Sequence, residues 1–130
     1  MQSVGNIVII GLGGFVGAIL RFLVSGFVQT ATSSVHFPYG TLSVNMIGCF
    51  CIGFFAYLAE SRGILGTDAR MFLLVGLLGS FTTFSTFSFE TMNLLRDARY
   101  LAAGINVSSQ VIIGLACVWL GRVCALALWR

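Results

Sequence analysis

The sequence has no lysine and little charge of either sign. Seven arginines and four acidic residues leave only 8% of its 130 residues charged, against roughly 25% in soluble domains. The arginines are scattered among loops and helix ends, which excludes the clustered basic patch of a nucleic-acid-binding protein. With 58% hydrophobic residues, the chain has too little polar surface for a water-soluble domain.

Side chains that usually carry catalysis are also sparse. The sequence contains no nucleophile–base pair, no phosphate-binding loop and no spaced pair of carboxylates within its apolar runs. The one histidine, His36, lies in a loop, and the four cysteines fall in apolar runs at spacings unlike those of a zinc site. These absences favour a membrane protein that is not an enzyme, with structural thiols.

Four long apolar runs organise the chain. They cover residues 7–28, 42–58, 71–95 and 101–121, and each is close to the roughly 20 residues that an α-helix needs to cross a bilayer. The first run lacks the basic amino-terminal region of a cleaved signal peptide. We therefore predict an all-α integral membrane protein in which residues 1–130 form a single domain of four transmembrane helices.

The arginines give almost no preference for one orientation in the membrane. Four helices place both termini and the loop 59–70 on one side, and the positive-inside rule needs an asymmetry between the sides to set a direction. One side holds Arg62, Arg70, Arg122 and Arg130, and the other holds Arg21, Arg96 and Arg99. This balance predicts insertion both ways and an antiparallel, dual-topology homodimer. The alternative is that one extra arginine decides the direction.

Glycine, in contrast, is abundant. There are 16 in the chain, and Gly13 and Gly17 form a small-xxx-small pattern in the first run. Small residues let transmembrane helices approach closely, so the pattern favours dense helix packing and oligomerisation.

The third run is unusual at its centre. Gly79, Ser80 and two adjacent threonines weaken helix propensity in mid-span, so we expect a break near residues 79–82. A break frees backbone carbonyl oxygens, which must find a partner in lipid and are natural ligands for cations. If two copies meet here on a two-fold axis, four such oxygens can hold one monovalent cation.

Polar and aromatic side chains recur along the same runs. Phe84 and Phe87 share a helix face, flanked by hydroxyls, and the positive edge of each ring can face an anion. Uncharged groups of this kind solvate an anion without trapping it, which conduction requires. The simpler interpretation is that the rings pack in a core and that Asn45, in the second run, makes an interhelical hydrogen bond. Asn106 and Gln110 lie one turn apart in the fourth run and predict a polar seam through the bundle.

Three segments resemble the Fluc (CrcB) family of fluoride channels. They are residues 13–22 (GGFVGAILRF), 40–45 (GTLSVN) and 79–90 (GSFTTFSTFSFE), and the similarity extends along the whole chain. The resemblance implies a passive, fluoride-selective channel that exports fluoride across the bacterial inner membrane and so relieves its toxicity. It also implies an antiparallel homodimer with two pores and a central structural sodium ion.

The resemblance assigns roles to particular residues. Phe84 and Phe87 would be ring-edge ligands of fluoride, and Asn45 a pore-lining amide. The remaining implied pore residues are the vestibule Arg21 and the hydroxyls of Ser85, Thr86 and Ser88, and the implied sodium ligands are the carbonyls of Gly79 and Thr82. Glu90 would serve either helix packing or the pore mouth.

This sequence departs from the family pattern in two places. Ser80 stands where the family often has a second glycine, beside the implied sodium site. Gly114 and Val118 stand where many members carry a serine and a threonine, so the fourth helix offers a poorer polar track.

Two other functions fit a chain of this size. A small proton-coupled multidrug exporter needs a membrane-embedded carboxylate in its first helix, whereas the only charge in this first run is Arg21. A membrane subunit without transport activity would pack Asn45, Phe84 and Phe87 without forming a water path.

Overall fold

The computed structural model describes residues 3–61 and 63–129, and all the regular structure in them is helical. Helix α1 spans Val4–Thr32 and α2 spans Tyr39–Ser61. Helix α3 covers residues 67–81 and consists of an α-helical turn Thr67–Arg70, a π-helix Met71–Leu78 and a last turn Gly79–Phe81. Helices α4 and α5 span Phe84–Arg96 and Tyr100–Leu128.

Four helical stretches are long and apolar enough to cross a membrane. They are Val4–Thr32, Tyr39–Ser61, Thr67–Arg96 and Tyr100–Leu128, which confirms the prediction of a multi-pass, all-helical protein. The helices extend past the apolar runs because backbone hydrogen bonding continues where hydropathy falls. Two of the arginines counted for orientation, Arg62 and Arg130, lie outside the described residues, so insertion in both directions stays a prediction.

Helix α1 packs backbone to backbone against the π-helical part of α3. A Cβ atom at Gly13 would collide with the carbonyl oxygen of Phe72, and one at Gly17 with that of Leu77. Carbonyls five residues apart lie about one turn apart in a π-helix, just as residues four apart do in an α-helix. The small-xxx-small face of α1 is therefore occupied inside the protomer, against α3, rather than left free for a second copy.

Helix α2 lies between α1 and α5 and supplies much of the buried core. Val44 is fully buried, and Gly53 lets the carbonyl of Val118 in α5 approach the α2 backbone. Most other large apolar side chains are exposed, for example Phe22 and Phe27 on α1. That distribution suits helices whose outer faces meet lipid rather than water.

The helical path is interrupted between α3 and α4. Thr82 (φ −84°, ψ 157°) and Thr83 (φ −150°, ψ 116°) are extended, and the Thr83 hydroxyl then caps α4 by accepting from the backbone N–H of Thr86 at 3.2 Å. Gly79, where the expected break begins, is itself helical. β-Branched side chains disfavour a helix, and a threonine at the N-cap stabilises the next one, so the interruption falls at the two threonines.

Candidate functional site

Asn45 on α2 holds the extended residues between α3 and α4. The backbone N–H of Thr83 donates to Asn45 Oδ1 at 2.8 Å, and Asn45 Nδ2 donates to the carbonyl of Thr83 at 3.1 Å. Both residues are buried. The side-chain amide thus replaces the helical partners that Thr83 lacks, which is how buried backbone groups at a helix interruption remain satisfied.

A third hydrogen bond extends this arrangement to α5. Asn45 Nδ2 also donates to Gln110 Oε1 at 3.0 Å. One side chain of α2 therefore joins the interruption to the fourth membrane-crossing stretch. The interhelical hydrogen bond anticipated as the simpler interpretation of Asn45 is present.

These residues form one wall of a cleft of about 540 Å³. The rings of Phe84 and Phe87 lie on it, with centroids 5.4 Å apart and planes inclined at 62°. Phe84 is 78% exposed in the protomer, whereas Phe87 is half-buried. The cleft is lined by Asn45, Gly48, Cys49, Ile52, Leu74, Leu78, Gly79, Thr82, Thr83, Phe84, Phe87, Gln110, Val111, Gly114, Leu115 and Val118, none of which is charged.

The cleft brings together five of the nine residues that the resemblance implied for the pore and the sodium site. Asn45, Phe84, Phe87, Gly79 and Thr82 all line it, although they come from three different helical stretches and the interruption. No hydrogen bond outside the helices of the described part of the chain uses the carbonyl oxygen of Gly79 or Thr82 as acceptor. Uncharged carbonyl oxygens of this kind at an interrupted helix suit a monovalent cation.

Four other candidates are not on the lining of the cleft. The hydroxyls of Ser85 and Thr86 lie 3.4 and 3.0 Å from the hydroxyl of Thr83, which caps α4. Ser88 is exposed and Arg21 half-buried, away from the cleft wall. Successive residues turn by about 100° around an α-helix, which turns Ser85 and Thr86 away from the face that carries Phe84 and Phe87.

Comparison with known proteins now decides the family. The sequence model described as "CrcB-like protein, Camphor Resistance (CrcB)" matches residues 8–122, a stretch that includes the cleft residues. The chain belongs to the CrcB family. The resemblance inferred from the three motifs is thereby confirmed.

Individual relatives of this CrcB chain cover nearly its whole length. A protein of Methanosarcina acetivorans named "Fluoride-specific ion channel FluC 1" is 44% identical over 123 residues, which cover 95% of this chain and 92% of that protein. A protein of Opitutus terrae named "Fluoride-specific ion channel FluC" is 47% identical over 121 residues, with 92% and 91% covered. Both names describe ion channels rather than enzymes.

A second, more polar cleft of about 440 Å³ lies at the loop between α1 and α2 in this CrcB chain. On its wall, the Thr41 hydroxyl donates to Glu90 Oε1 at 2.6 Å. Asp97, Arg99 and His36 also line it. The sequence predicted for Glu90 either a role in helix packing or a place at the pore mouth, and it did not point to Thr41. The available signal was that Glu90 is the only acid well inside an apolar run.

The polar seam predicted on the fourth run has partners on α4 as well as α2. Asn106, fully buried, donates from Nδ2 to Thr91 Oγ1 at 3.0 Å, and that hydroxyl donates to the carbonyl of Phe87 at 2.8 Å. Gln110, one turn further along α5, accepts from Asn45. The sequence pointed to Asn106 and Gln110 through their spacing, but Thr91 shows no comparable pattern.

Proposed function

We propose that this chain is a fluoride-selective channel that passively exports fluoride and so relieves its toxicity. Membership of the CrcB family and the names of its relatives support this function. The observation that carries it is the uncharged cleft whose lining includes two phenyl rings and two side-chain amides.

The chemistry of the cleft suits a small anion. The edge of a phenyl ring is positive and can face an anion in the ring plane, whereas cations favour the ring face. The described lining offers no Asp or Glu that would hold a cation and no Arg or Lys that would trap an anion by full charge. Weak, multiple contacts of this kind let an ion enter and also leave, as conduction requires.

We infer that the working unit is an antiparallel, dual-topology homodimer with two pores. The near balance of arginines between the two sides supports insertion both ways, and the 78% exposure of Phe84 supports a second copy that closes the open side of the cleft. In that dimer, Ser85, Thr86 and Ser88 contribute hydroxyls along the pore and Arg21 lies near the vestibule. The location proposed is the inner membrane of a bacterium.

A sodium ion at the centre of the dimer completes the proposal. The interruption at Thr82 lies near the middle of the stretch Thr67–Arg96, which supports a break at mid-membrane. Carbonyl oxygens of Gly79 and Thr82 from two copies would supply four ligands. Bound there, sodium would join the two protomers as a structural ion.

Fluoride efflux from liposomes tests the function. The purified protein is reconstituted in vesicles loaded with fluoride or chloride, and efflux is followed with ion-selective electrodes under a valinomycin-clamped potassium gradient. A selective channel releases fluoride fast and retains chloride, and protein-free vesicles release neither. A folded dimer that passes no fluoride would contradict the channel function and favour a subunit without transport activity.

A further inference from the structure

The backbone of Thr83 determines the orientation of the Asn45 side-chain amide. Thr83 presents an N–H and a carbonyl to the same side chain, so Asn45 must turn Oδ1 toward the N–H and Nδ2 toward the carbonyl. Side-chain amide orientations are normally assigned from their hydrogen bonds, and here two backbone groups make the assignment unambiguous.

The orientation of Gln110 follows from that of Asn45. The atom that meets Asn45 Nδ2 at 3.0 Å must be an acceptor, so it is Gln110 Oε1. Gln110 Nε2 therefore points away from Asn45. It is buried and makes no hydrogen bond.

Of the buried side-chain atoms without a partner in the described residues, Gln110 Nε2 is the only donor. The other two, Glu90 Oε2 and Asn106 Oδ1, are oxygens and cannot donate to an anion unless protonated. A buried donor without an acceptor is costly, so its retention calls for an explanation in the function of the site. Gln110 lines the same cleft as Phe84 and Phe87.

We propose that Gln110 is a fluoride-binding residue of this channel, with Nε2 donating to the ion beside the two phenyl rings. Asn45 is then a positioning residue: its Nδ2 group is occupied by Thr83 and Gln110, and it acts on the ion by holding the Gln110 amide in place. The inference rests on the proposed fluoride transport and names a donor for it.

An ion can reach Gln110 Nε2 only after a local movement. Nε2 is closed to water in this conformation, so an ion reaches it only when the Gln110 side chain or a group that covers it moves. Position 114, one turn further along α5, is a glycine and offers no side-chain donor.

Nuclear magnetic resonance of the side-chain amides tests the contact in the unmodified protein. The sequence has only three glutamines, so selective ¹⁵N-glutamine labelling gives few signals, and a Gln110→Met sample assigns one of them. Gln29 is the internal control, because its Nε2 already donates to the carbonyls of Ser34 at 2.5 Å and Phe37 at 3.1 Å.

Fluoride added at constant ionic strength is expected to shift the Gln110 signal saturably, whereas chloride is not. The Gln29 signal stays in place with both ions. An unmoved Gln110 signal, in a protein whose vesicles do release fluoride, would overturn this inference and leave the transport function standing. Vesicles that release no fluoride would instead count against the function itself.

Two substitutions separate donation to the ion from support of Asn45. Gln110→Glu keeps an oxygen for Asn45 and replaces the donor nitrogen, and Gln110→Met removes both. Both variants are expected to slow fluoride efflux at least about tenfold, which equals about 1.4 kcal/mol. Exposed Ser108→Ala on the same helix is the control, and size-exclusion chromatography checks the dimer. Efflux at the wild-type rate from Gln110→Glu would overturn the donor role.

Discussion

Replacing Asn45 with leucine should destabilise the protein by leaving the backbone of Thr83 without partners. Leucine keeps the approximate size of the side chain but removes the acceptor at 2.8 Å and the donor at 3.1 Å. A buried backbone group without a partner costs about 1–3 kcal/mol, so the two groups together give about 2–6 kcal/mol. An interhelical hydrogen bond in a membrane protein contributes only about 0.6 kcal/mol on average, because alternative partners are usually found.

These two magnitudes predict different losses of stability for Asn45→Leu. If the interruption is a permanent feature of the fold, the variant loses more than about 2 kcal/mol of unfolding free energy. If α3 and α4 can instead join, the N–H of Thr83 returns to the carbonyl of Gly79 and the loss falls to about 1 kcal/mol for two average bonds. Reversible unfolding in mixed micelles, followed by circular dichroism, measures the difference.

A matched control is available on α4. Asn93 is half-buried and its side chain makes no hydrogen bond in the described structure, so Asn93→Leu should change stability by about 0.5 kcal/mol or less. A loss of about 1 kcal/mol or less for Asn45→Leu, similar to that of the control, would refute the reasoning that Asn45 holds the interruption open.

Three further predictions follow from the same structure. Phe87→Ile should slow fluoride efflux at least about tenfold with the dimer intact, because the positive edge of the ring is lost. Phe89→Ile, outside the cleft, should not slow efflux, and equal efflux rates of the two variants in electrode assays would contradict the prediction. Gly17→Ala should lower the free energy of unfolding by about 1–3 kcal/mol in chemical denaturation, because the new methyl group meets the Leu77 carbonyl. Gly26→Ala, with open space around it, should leave stability unchanged or raise it. Replacing sodium with a bulky organic cation should lower the melting temperature of the dimer, and an unchanged melting temperature would remove sodium from the proposal.

The membrane-crossing architecture could be predicted from the sequence because it depends on length and hydropathy alone. Each apolar run had to be a helix, since lipid offers no partner for unpaired backbone groups. The position of the interruption was less predictable. Gly79 weakens a helix by propensity, but it remains helical and the chain leaves the helix at Thr82 and Thr83, where α2 offers an amide side chain.

The residues of the site could be predicted from the sequence only in part, for a related reason. Phe84 and Phe87 share a face by spacing, and this local geometry placed both on the cleft. Ser85 and Thr86 looked equally suitable by composition, yet their hydroxyls lie beside Thr83, the N-cap of α4, because they are on other faces of the helix. Side-chain chemistry alone did not distinguish a pore hydroxyl from a capping hydroxyl.

By itself, then, the amino-acid sequence determined four membrane-crossing helices, an almost uncharged interior and the motifs of the CrcB family, all properties of local composition and order. Only the tertiary structure decided which polar groups meet. Asn45 and Thr83 are 38 residues apart, and Asn45 and Gln110 are 65 apart. No local pattern encodes those pairings, because the hydrogen bonds depend on how α2, α5 and the interruption pack. That packing joins Gln110 Oε1 to Asn45 and turns Gln110 Nε2 away from it.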